Sequence, residues 1–433
     1  MLSKVIRKRN IPNDERTKER SNVNKQHFDI VISGGGLSGA LTALSLASLK
    51  LTLDDGSTKP LSIAIVESAT VSSAPASKTK SLSFDARVLA LSHGSAQYLT
   101  QVGAWQHIQP YAEAIDKIHI SDRNFPAKAR LSANEHHVDA LGYVVEMARI
   151  GQGLYQALSA FDNIIWFSPD TINEINWHKK HVDISLASGG ELVTQLLLGC
   201  DGAQSVCRQF AKIDVSTDDY QQVALIANVA TSLAHNNVAF ERFTENGPIA
   251  MLPLVSSNAG ESRCSLVWTM TPSQATQIQS LSDSEFCQTL EQAFGTWLGN
   301  VTRAGQRDIY PLKLVRAHEQ IYHRMALIGN ASHTIHPIAG QGFNLGLRDV
   351  AILAEHLAKH LTNSSDVGSF SLLNCYAVQR KNDHNQVIGL TDSLVTLFSN
   401  QLPPLVVGRN IGLKVLDHVG GIKSALVNKT MGY

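Results

Sequence analysis

Apolar residues cluster along this chain in two ways. In the first, a short apolar run ends at a turn residue: Ile30 to Ile32 before Gly34, LSIAIVE ending at Glu67, Leu196 to Leu198 before Gly199, and MALIGN ending at Asn330. Uninterrupted runs of this length suit strands buried on both faces of a parallel sheet. The first leads into the helix-like stretch ALTALSLASL and the last into GQGFNLGLRDVAILAEHLAKHL. In the second, between residues 215 and 315, the segments VALIANVA, VAFERFT, IAMLPLV and RCSLVWTM alternate more. That pattern predicts an antiparallel sheet. Three strand-to-turn units, near residues 35, 200 and 330, thus predict one nucleotide-binding domain assembled from distant segments, with a second domain between them.

The first unit, FDIVISGGGLSG, places Gly34, Gly36 and Gly39 in G-x-G-x-x-G spacing. The first glycine makes the tight turn, the second admits a pyrophosphate to the backbone, and the third lets the helix pack on the strand. The helix N-terminus adds free N–H groups for the phosphates. Glu67, closing the next run, is placed to accept from the ribose hydroxyls of an adenosine. The polar insert TLDDGSTKP makes the gap to Glu67 longer than usual. This fingerprint alone does not separate NAD from FAD. An NAD dehydrogenase should go on alternating strands and helices. Instead the chain gives KSLSFDARVLALSHGSAQYLTQVGAW, with Arg87, and much later TQLLLGCDGAQSVCR, with Asp201, Gly202 and Arg208.

The 433 residues suffice for two or three domains. Equal numbers of basic and acidic residues, 37 each, argue against a broad grip on nucleic acid. The first 27 residues are rich in Arg and Lys and read as a mobile tail; Asp14, Glu15 and Glu19 break the basic run that a transit peptide would carry. Cysteines at 200, 207, 264, 287 and 375 form no C-x-x-C pair, which fits a reducing compartment. The 17 histidines form no H-E-x-x-H pattern, so no metal is assigned. The apolar stretch from Phe28 to Leu49 contains Asp29 and four glycines, which argues against a membrane span. A cytoplasmic chain, soluble or peripheral on the inner membrane face, is expected.

With its three units in this order, the chain from residue 28 to about 395 resembles the FAD-dependent aromatic hydroxylases of the para-hydroxybenzoate hydroxylase fold. The segments FDARVLALSHGS, IHISDRNFPAKARL, ALGYVVE, HPIAGQGFNLGLRD and LFSNQLPPLVVGRNIGLKVLD are most similar to the ubiquinone-biosynthesis hydroxylases. The resemblance implies an α/β fold: a Rossmann-like FAD-binding domain of the GR2 type built from discontinuous segments, an inserted, mainly antiparallel substrate domain, and a C-terminal helical region. The expected divisions are a basic tail over 1–27, the FAD-binding domain over 28–214 (with some substrate-domain strands inserted) and 316–362, the antiparallel sheet over 215–315, and the helical region over 363–433.

The same resemblance implies FAD as cofactor, held by Gly34, Gly36, Gly39 and Glu67, with Arg87 near the pyrophosphate. Asp201 and Gly202 would touch FAD and the path of the reductant. Gly329 and residue 330 would meet the ribityl and pyrophosphate portion. Most members have Asp at 330; Asn330 keeps an acceptor oxygen and removes a negative charge near the phosphates. Its GN pair resembles the 2-polyprenyl-6-methoxyphenol hydroxylase branch. Gly340, Gln341 and Gly342 would leave no side-chain wall against the flavin ring, their helix N-terminus facing the N1–C2=O edge, with Pro337 on the substrate side. His333 and His336 are read as supporting groups, since the flavin carries the hard chemistry. Arg149 suits an exposed helix face equally well.

The implied reaction is a monooxygenation, in which a flavin C4a-hydroperoxide formed with O2 attacks an electron-rich polyprenyl phenol. The favoured substrate is 2-polyprenyl-6-methoxyphenol, giving 2-polyprenyl-6-methoxy-1,4-benzoquinol. No catalytic residue is assigned, and the strand carrying Met251, Leu252 and Pro253 is the candidate pocket wall. NAD(P)H or a separate redox protein would supply electrons. A sister hydroxylase at another ring position, a hydroxylase of small soluble aromatics, a flavin reductase of isoprenoid double bonds and an FAD-binding scaffold remain open. From residue 390 onward, apolar residues at helical spacing, broken by Pro403 and Pro404, carry Lys414, Lys423 and Lys429. This part suits a membrane surface, a partner in a multiprotein ubiquinone-biosynthesis assembly, or the chain's own core.

Overall fold

The computed structural model describes residues 25–52, 55–71, 87–123, 128–245, 247–256, 261–334 and 341–399. Among these, the uninterrupted apolar runs join in one sheet. Strands Ile164–Phe167, Ile63–Val66, Gln26–Ser33 and Glu191–Gly199 lie side by side, all parallel. Met325–Leu327 adds in parallel to the end of Glu191–Gly199, and the hairpin Ile172–Trp177 and Val182–Leu186 closes the edge in antiparallel fashion. Both faces are covered, which is why the sequence shows runs rather than alternation. Ile30, Ile32, Leu196 and Leu198 pack against helices Leu37–Ala47, Met147–Leu158 and Gln341–Leu361. Val31, Leu197 and Leu327 pack on the other side, with Ile175, Val182 and Cys207.

Register places the carboxyl ends of these strands flush. Ser33 stands opposite both Val66 and Gly199, and Gly199 opposite Leu327. The turns at Gly34, Glu67, Cys200 and Ile328 therefore leave the sheet side by side.

The alternating region builds a second sheet of nine strands among the described residues. Its order is His333–Thr334, Asp308–Ala317, Val215–Thr231, Ser262–Met270, Gly247–Leu254, Val238–Thr244, Lys117–Asp122 and Lys128–Ser132, with Val301–Ala304 also on Val215–Thr231. Neighbours are antiparallel except Val238–Thr244 and Lys117–Asp122, which run parallel. One face is closed by helices Pro272–Gln279 and Asp283–Phe294, through Ala275, Phe286, Leu290 and Phe294. Both helices open with capping boxes, Thr271 with Gln274 and Ser282 with Glu285. Met251 belongs to this closed face and is fully buried there, so within the candidate wall strand it is plain core. The opposite face packs Ala239, Leu252 and Leu254 on a three-stranded sheet formed by Val88–Ser92, Gly142–Glu146 and Ala112–Ile115.

Helix Phe370–Ser399 spans the two bodies. Leu372, Leu373 and Tyr376 join the first core, while Val387 and Ile388 pack with Leu345 and Leu314. No helix of the described residues is long and apolar enough to cross a membrane. The tail over 1–24 and the C-terminal part over 400–433 lie outside the described residues.

Asn344 fastens the three-stranded sheet to the first body. Its amide nitrogen donates to the Ala90 carbonyl at 2.9 Å, and its oxygen accepts from the Ser92 amide at 2.9 Å and the Ser95 hydroxyl at 2.7 Å. Asn344→Ala leaves buried groups without these partners, at about 1–3 kcal/mol each. A thermal melt should show a clear drop in Tm; an unchanged Tm contradicts the bridging role.

Candidate flavin-binding site

The glycine turn is built by close backbone approach. Gly34 has φ +91° and donates its N–H to the Val66 carbonyl at 2.8 Å; a Cβ there would stand 2.7 Å from the Cys200 carbonyl oxygen. At Gly39 a Cβ would fall 1.8 Å from the Gly34 carbonyl oxygen, so helix and turn touch backbone to backbone. Gly36 differs: it is the N-cap of helix Leu37–Ala47, no side chain caps the helix, and a Cβ would meet nothing within 4 Å. The helix thus presents free N–H groups and its positive end to open space, a cradle for an anion.

Glu67 does more than stand beside this turn. Its Oε2 accepts the Gly35 N–H at 2.6 Å and its Oε1 the Ala69 N–H at 2.8 Å. Tyr155 donates its hydroxyl to the Gly35 carbonyl at 2.8 Å. The Ser68 hydroxyl adds a third bond, to Oε1 at 3.2 Å, which still leaves a carboxylate one lone pair for a ligand hydroxyl. The tie to Gly35 was not visible in the sequence, because Gly35 and Glu67 meet only through the strand register.

Asp201 accepts the Cys207 N–H through Oδ2 at 3.0 Å, while its Oδ1 is buried and has no hydrogen-bond partner among the described residues. An unmet buried acceptor is costly and marks a place for a ligand or water hydroxyl. Gly202 follows at φ +79°, again with open space where a Cβ would stand. Arg208 joins this turn to the next, donating to the Ala331 carbonyl at 2.8 Å and the Ala203 carbonyl at 2.7 Å.

Gly329, at φ +60°, donates its N–H to Asp349 Oδ2 at 2.9 Å. The same wholly buried carboxylate is met by His333 Nε2 at 2.9 Å, His384 Nε2 at 2.8 Å and Arg380 Nε at 2.7 Å. Burial alone would raise the pKa of Asp349, but Arg380, His333 and His384 outweigh it and hold the carboxyl well below its usual range. Burial pushes His384 down, against the pull of Asp349. His333 is therefore a buttress of the Gly329 turn. Asp349, Arg380 and His384 carry no motif; the one signal is an aspartate directly before the apolar VAILA of residues 350–354. Asn330 is exposed beside this turn.

The remaining candidates fall elsewhere. Arg87 is exposed, its carbonyl accepting from the Met147 N–H at 2.8 Å. Arg149 stacks over the Tyr111 ring at 4.5 Å and donates to Gln152 at 3.2 Å, a helix-surface role. Pro337, Gly340 and His336 lie outside the described residues; Gln341 and Gly342 open helix Gln341–Leu361. His333, Asp349 and His384 converge closely enough for a metal, as do the more exposed His178, His181 and Asp183. In the first group Arg380 already supplies the positive charge on Asp349. Burial pushes the Cys200 thiol up to about 12, so it is not a nucleophile.

Open N–H groups at Gly36, the unmet Asp201 oxygen and a carboxylate at Glu67, on one flush sheet edge, fit the two ends of FAD. Residues 27–391 match the FAD binding domain family. The chain belongs to this family of FAD-dependent monooxygenases. It is 30% identical over 404 residues to the ubiquinone hydroxylase UbiL of Rhodospirillum rubrum, covering 93% of this chain and 89% of that one. It is 30% identical over 412 residues to the 3-demethoxyubiquinol 3-hydroxylase of Escherichia coli, covering 94% and 99%. In fold it is similar to p-nitrophenol 4-monooxygenase PnpA of Pseudomonas putida, with a TM-score of 0.70 at 19% identity, covering 94% of this chain and 99% of that one.

Two outcomes follow from the glycines. Gly36→Val should leave the fold intact and lose bound flavin, whereas Gly39→Val should lose the fold, as read by circular dichroism and flavin content. Flavin retained in folded Gly36→Val contradicts the cradle. A third outcome concerns acid. Asp349 and His384 are both held below their ordinary values, so the unfolded chain takes up protons first. Between about pH 6.5 and 4.5 the loss from His384 is opposed by proton uptake at Glu241, whose carboxyl burial pushes up to about 7. The unopposed loss, from Asp349, comes as pH falls through the carboxylate range near about 4. A urea midpoint that stays flat from neutral to acid pH contradicts this.

Proposed function

We propose that this FAD-dependent monooxygenase hydroxylates the ring of a polyprenyl phenol in ubiquinone biosynthesis. The observation that carries the cofactor half is the buried, unpartnered Asp201 oxygen beside the open helix end at Gly36. The substrate half is supported by near-full-length likeness to two proteins named as hydroxylases of ubiquinone or demethoxyubiquinol.

In this reading the N–H groups after Gly36 bind the pyrophosphate, with Arg87 near it, and Glu67 binds the adenosine ribose. Gly34 and Gly39 shape the turn that brings them together. Asp201 Oδ1 accepts from a flavin hydroxyl, with Gly202 leaving room beside it, and Gly329 and Asn330 border the ribityl portion. Pro337, Gly340, Gln341 and Gly342 flank the ring. Bound FAD would activate O2 and deliver one oxygen atom to the phenol, using electrons from NAD(P)H or a separate redox protein. The protein's own part is to hold the ring, keep water out while oxygen is transferred, and manage the phenolic proton.

The ring position we favour is para to the hydroxyl of 2-polyprenyl-6-methoxyphenol, on the strength of Asn330. A second reading, hydroxylation of a later intermediate, is favoured by the likeness to the 3-demethoxyubiquinol enzyme. A polyprenyl tail must be drawn from a bilayer, and the apolar, lysine-bearing stretch after residue 399 is our candidate for contact with the membrane or a partner.

Expression in a strain lacking the 6-methoxyphenol hydroxylase, with lipids read by mass spectrometry, separates the positions. Restored ubiquinone under air is the expected result. Persistent 2-polyprenyl-6-methoxyphenol despite yellow, folded protein overturns the para position. Rescue of a strain blocked at the 3-demethoxy step would then establish the second reading.

A further inference from the structure

Strand register draws one row of side chains straight across the nine-stranded sheet. Ile120, Glu241, Ala250, Val267 and Ile226 stand opposite one another on five successive strands. All five keep part of their surface accessible. Phe240, Met251, Leu266 and Leu225, next to them in sequence but on the opposite face, are buried. At about 4.8 Å per strand, the row runs about 19 Å across the sheet. It lies on the face that packs Ala239 and Leu252 against the three-stranded sheet, away from helices Pro272–Gln279 and Asp283–Phe294. That three-stranded sheet is in turn bonded to Asn344, close to the start of helix Gln341–Leu361.

Four members of the row are aliphatic, and the fifth is a carboxylic acid. No hydrogen bond or ion pair joins the Glu241 carboxyl to any described residue, and burial pushes it up to about 7. A sheet gains nothing from a half-buried acid without a partner among aliphatic side chains. A phenol with a prenyl tail supplies what is missing: apolar surface for the aliphatic row and one hydroxyl for the acid.

We propose that Glu241 is the catalytic residue that receives the substrate's phenolic hydroxyl, accepting its hydrogen bond and then its proton as oxygen enters the ring. This rests on the phenol-hydroxylase reading above. The proton leaves the phenol oxygen for a Glu241 oxygen while the attacked carbon gains OH and the phenol C–O becomes a carbonyl. That carbon then loses its hydrogen as a proton, the carbonyl oxygen recovers one, and the ring regains aromaticity. Glu241 ends as it began, returning its proton to the carbonyl oxygen. The O–O bond of O2 breaks: one atom enters the ring as OH with a proton from the medium, and the other leaves as water with the ring proton, one further proton and two electrons from the monooxygenase's reductant. A carboxyl near 7 is closer to a phenol near about 10 than an ordinary carboxylate near about 4, so the transfer is better matched.

The test compares wild type, Glu241→Gln and Glu241→Asp as holoproteins, scoring hydroxylated lipid in the complemented strain and, in vitro, peroxide released per reductant consumed. Glu241→Gln should keep its FAD and make about 10²-fold less product, with peroxide released instead. Glu241→Asp should fall between the two. Removing an unpartnered, half-buried charge should leave Tm no lower, so a Glu241→Gln protein that fails to fold shows a structural role and overturns the proposal. Product within threefold of wild type overturns it too. A wild-type holoprotein that hydroxylates no phenol at any ring position removes the functional reading itself, and this role with it.

Discussion

One buried carboxylate, Asp349, fixes the geometry of the turn at Gly329. Its donors come from three segments: Gly329 on the turn, His333 just after it, and Arg380 and His384 on helix Phe370–Ser399. These four donors occupy both oxygens. Tyr376, on the same helix, donates to the Leu327 carbonyl at 3.1 Å, one residue before the strand gives way to the turn. Taking a partner from a buried charge of this kind costs about 3–5 kcal/mol. The turn is therefore held from behind by buried residues.

A second constraint is the parallel register, which acts as a ruler. Because Ser33, Val66, Gly199 and Leu327 are level, four turns distant in sequence open on one edge. The local chemistry then needs little: an uncapped helix end, an acid on the neighbouring strand, and an acid with one free oxygen. The second sheet is held to this edge by the packing of Val387 and Ile388 on Leu345 and Leu314, and the three-stranded sheet by Asn344.

Much of this was legible in the sequence, and what was not has physical reasons. The apolar runs marked the parallel strands because burial on both faces leaves no polar position to interrupt them. Gly34 and Gly39 stood out because backbone contact admits no side chain. The segment IAMLPLV, by contrast, is apolar at nearly every position and gives no phase, so Met251 could not be told from Ala250 and Leu252 on the other face. Lys117–Asp122 joins Val238–Thr244 across a long stretch of sequence, a pairing that periodicity does not encode. Glu241 sits beside Arg242 in VAFERFT and looks like half of a solvent-facing pair. Only strand pairing turns it toward the aliphatic row, while Arg242 lies over the Trp297 ring.

The central claim is that the flush sheet edge is the flavin site. Hydrogen–deuterium exchange of the apoprotein with and without added FAD tests it directly. The account predicts one FAD per chain, with new protection in peptides covering residues 34–39, 67–69, 201–203 and 329–331. FAD binding without protection of these peptides, or folded apoprotein that takes up no FAD, would contradict it.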